Sequence, residues 1–155
     1  MEPLVPDSVA VHPGCLLVKL GQVAFRLTEN RLAPLGMRTR HYTLLKVLVA
    51  EGPLSQSELG RRSRIDPTTV VAVIDDLEAK EFATRTRDAT DRRRSLVVAT
   101  DAGRLAAAEA DALLDGLGAE MFADLTDGQT RDLAGILGAI NAGAALSQAA
   151  ENLRV

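Results

Sequence analysis

The stretch Arg85-Thr-Arg-Asp-Ala-Thr-Asp-Arg-Arg-Arg-Ser95 joins two short β-prone runs, Phe82 to Arg87 and Ser95 to Ala99. A segment with helical spacing, opening Asp66-Pro-Thr-Thr69, comes shortly before it. A hairpin this small is not stable alone and must pack on neighbouring helices. Arginines dense at its tip, with aspartates between them, suit the concentrated negative potential of a DNA minor groove. The stretch therefore predicts the wing of a winged helix-turn-helix that binds DNA.

The segment before the wing carries the start signals of two helices. Ser55-Gln-Ser-Glu58 is a capping box, in which the serine accepts from the glutamate N–H and the glutamate reaches back. Asp66 followed by Pro67 supplies an N-cap and a first helical residue, and the helix should run to about Lys80. Two helices joined by a turn of a few residues are typical of a helix-turn-helix.

Residues 66–80 are the expected recognition helix, lying in the major groove. Thr68 and Thr69 offer hydroxyls for base edges or phosphates, whereas the valines that follow cannot donate hydrogen bonds. Shape and the wing should therefore carry more of the specificity than direct contacts. The spacing i, i+4 and i+7 predicts that three residues pack in the core: Val70, Ile74 and Leu77.

Helical spacing also covers most of the remaining chain, with a loose arm expected over residues 1–12. A long helix should run from Cys15 to near Pro34, and Thr39 is the expected N-cap of the next. Thr100 should cap a fifth helix and Thr126 a final one, whose apolar positions extend from Leu133 to Ala144 along one face. The predicted fold class is mostly α with a small β-hairpin wing (α+β). We expect an arm and first dimerisation helix over 1–34, a DNA-binding lobe over 35–100 and C-terminal dimerisation helices over 101–155.

Composition indicates one globular domain with an aliphatic core. The 155 residues are 46% hydrophobic, with three Phe, one Tyr and no Trp. Cys15 is the only cysteine in the sequence, which excludes an internal disulfide framework and favours a reducing compartment such as the cytoplasm. The first residues carry no basic segment followed by an apolar one, so no secretory signal is expected.

The charge is unevenly distributed along the chain. The net charge is −3, yet residues 38–94 hold 12 Lys and Arg against 9 Asp and Glu, while the remainder holds 6 against 12. A basic centre between acidic ends fits a DNA-facing lobe on a scaffold that does not contact DNA.

Two other classes of protein are disfavoured. Residues 133–150 carry no charge, but they are rich in Ala and Gly, and we expect a buried packing helix rather than a membrane span. With two histidines, one cysteine, no phosphate-binding loop and no metal-spaced cluster, the sequence offers little from which to build a catalytic site. We therefore expect neither an enzyme nor a bound cofactor or metal.

From Leu35 to Gly103 the chain resembles the MarR family of bacterial transcriptional regulators. The resemblance rests on the order and spacing of five segments: Pro53-Leu-Ser-Gln-Ser-Glu-Leu59, Asp66-Pro-Thr-Thr-Val70, Asp75-Asp-Leu-Glu-Ala-Lys80, Asp91-Arg-Arg-Arg-Ser95 and Ala99-Thr-Asp-Ala-Gly103. It implies a homodimer whose first, fifth and sixth helices interlock, acting as a repressor or an activator on a pseudo-palindromic operator. The chain departs from the pattern at Val71-Ala72, where polar or basic residues are common, and at Glu81-Phe82, where Gly-Leu is usual.

The resemblance also implies roles for individual residues. Arg93 matches the wing arginine that enters the minor groove, Asp91 matches the acid that orients it, and Arg92 and Arg94 become candidate phosphate contacts. The whole candidate DNA-facing set is Ser55, Gln56, Arg61, Arg64, Pro67, Thr68, Thr69, Val73, Arg87, Asp91, Arg92, Arg93 and Arg94.

Regulators of this family respond to small, often phenolic or carboxylic, molecules held between the dimerisation helices and the DNA lobe. The resemblance suggests four polar candidates for such a site: Lys19, Arg40, His41 and Tyr42. Some relatives sense peroxides through one cysteine of the first helix, which makes Cys15, one turn before Lys19, an alternative redox sensor. A winged-helix protein-interaction module without DNA binding is a further alternative that the valine-rich recognition helix allows.

Overall fold

A computed structural model describes residues 2–89, 91 and 93–152 of the chain. These residues form eight α-helices, a 3₁₀ turn and one two-stranded antiparallel sheet. The helices are α1 (Asp7–Ala10), α2 (Pro13–Leu32), α3 (Thr39–Glu51), α4 (Gln56–Ser63), α5 (Pro67–Ala79), α6 (Asp101–Met121), α7 (Asp127–Ala142) and α8 (Ala144–Asn152); the 3₁₀ turn is Ala33–Leu35, and the strands are β1 (Ala83–Arg87) and β2 (Ser95–Ala99). The predicted fold class is confirmed.

The first compact unit, residues 1–117, contains the helix-turn-helix and an aliphatic core. Its largest fully buried side chains come from α2, α3, α4 and α5 and from the segment just before α3, and they include Leu32, Met37, Leu44, Leu45, Leu48, Leu59, Ile74 and Leu77. Val70, Ile74 and Leu77 are at most 1% exposed, as their spacing predicts. The N-terminal arm differs from its prediction, because residues 7–10 form a helical turn and Val5 is buried.

Local capping sets the start of both helices in the helix-turn-helix. Ser55 Oγ accepts from the Glu58 N–H at 3.3 Å, and the Ser55 N–H donates to Glu58 Oε2 at 3.2 Å. Asp66 Oδ1 accepts from the Thr69 N–H at 2.9 Å, with Pro67 as the first residue of α5. Each cap satisfies an amide that the helix leaves unpaired. The cap of α3 is one residue earlier than predicted, at Arg38 rather than Thr39.

The hairpin is held against the helices by backbone hydrogen bonds. Ala83 pairs with Ala99 at its base, and the register continues to the opposite end of both strands. Leu54, just before α4, exchanges two bonds with Val97, at 3.2 Å from its N–H and 2.8 Å to its carbonyl. Val97 is completely buried. The wing and the helix-turn-helix therefore share one core.

The junction between β2 and α6 is very close to the chain that precedes β1. A Cβ added at Gly103 would lie 2.0 Å from the Phe82 carbonyl oxygen. Thr100 Oγ1 donates to the Glu81 carbonyl at 2.6 Å and accepts from the Gly103 N–H at 3.0 Å. Glu81, where the family resemblance expects glycine, adopts a left-handed φ of 59°. The Ala-Thr-Asp-Ala-Gly segment thus encodes a cap together with a close backbone approach.

The second compact unit, residues 118–155, differs from its prediction in two ways. The expected capping box is present, since Thr126 Oγ1 accepts from the Gln129 N–H at 3.3 Å. The single final helix is instead interrupted at Gly143, which separates α7 from α8. The apolar face expected to be buried is open in the single chain, where Ile136 is 58% exposed. Among the described residues no single helix is long and apolar enough to cross a membrane; α7 and α8, bent by 51°, meet that test only when counted together.

Candidate nucleic-acid interface

Helix α5 divides into a buried face and an exposed stripe. Val70, Ile74 and Leu77 anchor the buried face, and the stripe contains Thr68, Val71, Ala72 and Asp75. Val73, a candidate DNA contact in the sequence, is only 6% exposed and packs in the core, because it shares the buried face with its neighbours. Val71, at 41% exposure, is the valine that the stripe presents instead. The sequence prediction gave Val71 no role, although its place directly after Val70 puts it outside the buried set of Val70, Ile74 and Leu77.

The wing is shaped by an acid that binds its backbone. Asp91 Oδ1 accepts from the Arg93 N–H at 3.0 Å, and the Asp91 carbonyl accepts from the Arg94 N–H at 2.9 Å. The Asp88 N–H donates to the Arg94 carbonyl at 3.0 Å, which closes the hairpin. The Arg93 and Arg87 side chains are exposed. Arg92, a candidate phosphate contact, lies outside the described residues.

Arg85 links the base of the wing to the recognition helix. Its guanidinium donates to Asp75 Oδ1 at 2.7 Å, to Glu78 Oε2, and to Gln56 Oε1 at 2.9 Å. Its backbone N–H also donates to Glu78 Oε1 at 2.8 Å. Burial alone would lower the pKa of Arg85, but the hydrogen bond to Asp75 and the pairing with Glu78 raise it.

The role of Arg85 is one that sequence reasoning missed, because the residue was counted with the arginines of the loop. The available signal was the pair of acids one turn apart on the preceding helix, Asp75 and Glu78. Gln56, a candidate DNA contact, presents its amide oxygen to Arg85. Arg85 therefore fixes the wing relative to α4 and α5.

The start of α4 places Ser55 and Arg94 around one carboxylate. Ser55 Oγ donates to Glu58 Oε2 at 2.7 Å, and Arg94 Nη2 lies 3.5 Å from the same oxygen. Hydrogen bonds from Ser55 and, more weakly, the charge of Arg94 lower the pKa of Glu58. Ser55 thus serves the helix cap, while the half-exposed Arg94 lies at the edge of the helix-turn-helix.

The other candidates at the end of α4 and the start of α5 lie on the surface. Arg61 and Pro67 are exposed, and Arg64 occupies the turn with a left-handed φ of 53°. Their neighbour Arg62 pairs with Glu51 at the end of α3. Arg62 therefore joins α4 to α3, and it is not one of the candidate DNA contacts.

A concavity of about 410 Å³ opens beside α5, lined by the start of α3 and one flank of the recognition helix: Arg38, Arg40, His41, Thr68, Thr69, Ala72, Val73 and Asp76. His41 is 7% exposed and has both ring nitrogens bonded. Its Nδ1 accepts from the Arg38 N–H at 2.9 Å, so Nε2 carries the proton and donates to Asp76 Oδ2 at 3.2 Å. Arg40 and His41, two of the predicted effector residues, therefore lie beside the recognition helix.

Tyr42 faces a different neighbour, the helix α6. Its hydroxyl donates to Asp111 Oδ1 at 2.8 Å, and Lys46 Nζ donates to Asp111 Oδ2 at 2.7 Å. Burial, followed by the hydrogen bond to Asp111, raises the pKa of Tyr42 to about 12. The bond from Lys46, followed by that from Tyr42, lowers the pKa of Asp111. Tyr42 is thus separated from Arg40 and His41, the other two predicted effector residues on α3.

The last sequence candidates lie on α2. Lys19 and Cys15 are both exposed, one helical turn apart. Lys19 is not among the residues that line the concavity beside α5. In the part of the chain that the structure describes, no group of three or more His, Cys, Asp or Glu side chains is placed to hold a metal ion.

Comparisons with known proteins agree with this geometry. Residues 35–94 match the family model described as MarR family. The HTH-type transcriptional repressor Rv2887 of Mycobacterium tuberculosis is 29% identical over 119 residues, which cover 77% of this chain and 86% of the relative. A structure of Rv2887 in complex with salicylic acid is similar with a TM-score of 0.69 and 28% identity, covering 82% of this chain and 94% of that one.

Two structures from Rhodococcus are also similar. A transcriptional regulator of the MarR family from Rhodococcus sp. RHA1 gives a TM-score of 0.76 at 26% identity, covering 87% of this chain and 96% of that one. CouR from Rhodococcus jostii RHA1, bound to p-coumaroyl-CoA, gives a TM-score of 0.72 at 26% identity, covering 87% and 95%. The winged helix-turn-helix arrangement is therefore shared over nearly the whole length of these chains.

Proposed function

Because this chain belongs to the MarR family, we propose that it is a cytoplasmic DNA-binding transcriptional repressor that works as a homodimer. The observation that carries the proposal is the Arg85 cluster, which consists of Arg85 and its partners Gln56, Asp75 and Glu78. This cluster joins the exposed stripe of α5 to the wing, whose Arg93 is exposed. A recognition helix and a wing held in fixed relation can enter a major groove and the adjacent minor groove together. The proposed contacts are Thr68 and Thr69 on α5 and the wing arginines.

DNA binding is tested by fluorescence anisotropy with a duplex taken from the region upstream of the protein's own gene. We expect binding that weakens as salt rises, because phosphate contacts release counterions. Arg93→Ala should lose most of the affinity. Arg104→Ala, which removes a charge from α6 where Arg104 pairs with Asp101, should retain it. Equal, weak binding by all three proteins, repeated across a random-sequence selection, would favour the protein-interaction module instead.

Dimerisation is supported by large apolar side chains that the single chain leaves open. On α2 they include Leu17, Val18 and Phe25, and on α7 they include Ile136, Leu137 and Ile140, all at least 41% exposed. Exposed apolar faces of this extent mark interaction surfaces, and a twofold dimer would present two recognition helices about one DNA turn apart.

The oligomeric state is measured by light scattering after size-exclusion chromatography. We expect a dimer for the wild type, and Phe25→Asp or Ile136→Asp should shift it toward monomer. Thr84→Asp, the same change in charge on the exposed side of β1, should remain dimeric. A monomeric wild type at the concentrations used for DNA binding would contradict the proposal.

A small aromatic acid or thioester is the effector class that the solved relatives suggest, since Rv2887 was solved with salicylic acid and CouR with p-coumaroyl-CoA. We expect one of these compounds to release DNA by binding one dimer state more tightly than the other. Titration of each into the protein–DNA complex tests this. The redox alternative predicts instead that peroxide releases DNA from the wild type and not from Cys15→Ser.

A further inference from the structure

The start of α3 brings two arginines to the recognition helix. Arg38 is the N-cap of α3 and Arg40 its second residue, and both side chains are exposed and line the concavity beside α5. The opposite wall of the concavity belongs to α5 and contains the hydroxyl residues Thr68 and Thr69. Guanidinium groups and hydroxyls are among the donors that bind phosphate oxygens, and the residues of both kinds line this concavity.

The charge of Arg40 also acts on the cap of α5. Hydrogen bonds from Thr69 lower the pKa of Asp66, and the positive charge of Arg40 adds to that lowering. Arg40 therefore acts on the residue that begins the recognition helix. If α5 enters a groove, a positive charge beside the N-terminus of α5 would attract the phosphates of the nearby DNA strand.

Three carboxylates lie near the two arginines. Asp76 lines the concavity, the charge of Arg38 acts on Glu29, and that of Arg40 acts on Asp66. Each of the three already accepts a hydrogen bond from the protein: Asp76 from the His41 ring, Glu29 from the Thr39 N–H and Asp66 from the Thr69 N–H. The exposed guanidinium groups keep donors for an added anion.

Helix geometry places this concavity on the side of α5 opposite the wing. At 3.6 residues per turn, Asp76 and Glu78 lie about 80° to either side of Thr68. Glu78 is bound by Arg85 at the base of the wing, whereas Asp76 is bound by His41 at the start of α3. The exposed stripe of α5 therefore has one arginine-bearing element along each flank.

We propose that Arg38 and Arg40 together bind a phosphate of the DNA backbone on the side of the recognition helix away from the wing. This pair of arginines, called the clamp below, would be a contact to DNA in addition to the wing. The inference rests on the proposed function and extends it, because it reassigns Arg40 from effector binding to DNA binding. A free anionic effector has the same chemistry as a backbone phosphate. The two sources are separated by the experiment.

The test is anisotropy across a salt series with two duplexes, the upstream fragment and an unrelated sequence. Arg38→Gln, Arg40→Gln and the double variant are compared with Arg104→Gln, and circular dichroism checks their folding. The Arg38 N–H that bonds His41 belongs to the backbone and is retained in every variant. The double variant should weaken binding to both duplexes by a similar factor, and each lost phosphate contact should reduce the slope of log K against log salt by about 0.9.

Each other outcome overturns the clamp. An unchanged affinity and slope in the double variant, with Arg93→Ala still deficient, removes the clamp while leaving the proposed function intact. A loss confined to the upstream fragment assigns the arginines to base contacts. Calorimetric binding of inorganic phosphate or salicylate that requires Arg40, with DNA affinity unchanged, assigns the concavity to an effector. A wild type that binds neither duplex nor any selected sequence refutes the proposed function itself.

Discussion

Nη2 of Arg85 lies 2.7 Å from Oδ1 of Asp75, a bond that crosses from the first wing strand to the recognition helix. With Glu78 on the next turn of α5, the same guanidinium is held by two carboxylates. The bond therefore holds the base of the wing against α5. Its loss should affect both folding and DNA binding.

We expect Arg85→Met to lower the free energy of unfolding by about 1–2 kcal/mol, because the partly buried Glu78 loses its partner. Arg87→Met, two residues along the same strand and exposed, should leave stability within about 0.5 kcal/mol of wild type. Urea unfolding of the two variants measures the difference. Equal stabilities would show that the Arg85 cluster does not hold the wing.

The second prediction concerns the close approach at Gly103. Gly103→Ala puts a methyl group 2.0 Å from the Phe82 carbonyl oxygen, and either the hairpin or α6 must move. We expect a loss of about 3 kcal/mol or more of unfolding free energy. Gly116→Ala is the matched change on the same helix, where nothing lies within 4 Å of the new methyl. That variant should be stabilised by up to about 1 kcal/mol, so a similar effect of both changes would contradict the structure.

Asp111 should make stability depend on pH in acid. The bonds from Lys46 and Tyr42 lower its pKa in the folded chain, so its contribution is present above the ordinary carboxyl pKa of about 3.9. It is lost as pH falls through the lower folded value. Other lowered carboxyls, such as Glu58, titrate in the same range. The readout is therefore the difference in unfolding free energy between wild type and Asp111→Asn, which should narrow as pH falls below about 4.

Glu81 supplies a prediction from backbone strain. Its φ of 59° is unfavourable for a residue with a Cβ. Glu81→Gly should therefore raise the midpoint of thermal unfolding, with a net gain of up to about 1 kcal/mol after the greater flexibility of the unfolded chain is subtracted. Glu81→Ala keeps the strain and should give no such gain. A lower midpoint for the glycine variant than for the alanine variant would contradict the left-handed assignment.

Much of the fold was predictable because its signals are local. The caps at Ser55, Asp66 and Thr126 depend on residues three apart, and the spacing of Val70, Ile74 and Leu77 is set by one helix. The sequence does not predict the interruption at Gly143, because Gly135 and Gly138 in the same run remain helical and the pattern does not distinguish among the three.

The candidate site was less predictable, because its arrangement depends on contacts between distant segments. Arg85 looked like any other wing arginine until β1 was placed against α5. Arg40 and Tyr42 are two residues apart, yet one lies beside the recognition helix and the other is directed to α6. The prediction of Val73 as a DNA contact is wrong, since helical period alone does not fix the width of the buried face.

The paired amides of Leu54 and Val97 have a consequence for cooperativity. The two residues are 43 positions apart and exchange both of their backbone bonds. Neither the hairpin nor the turn into α4 can open by itself without exposing the amides of the other to solvent. In hydrogen exchange the two amides should show one common free energy of opening, so that the wing and the helix-turn-helix behave as a single unit of opening and closing.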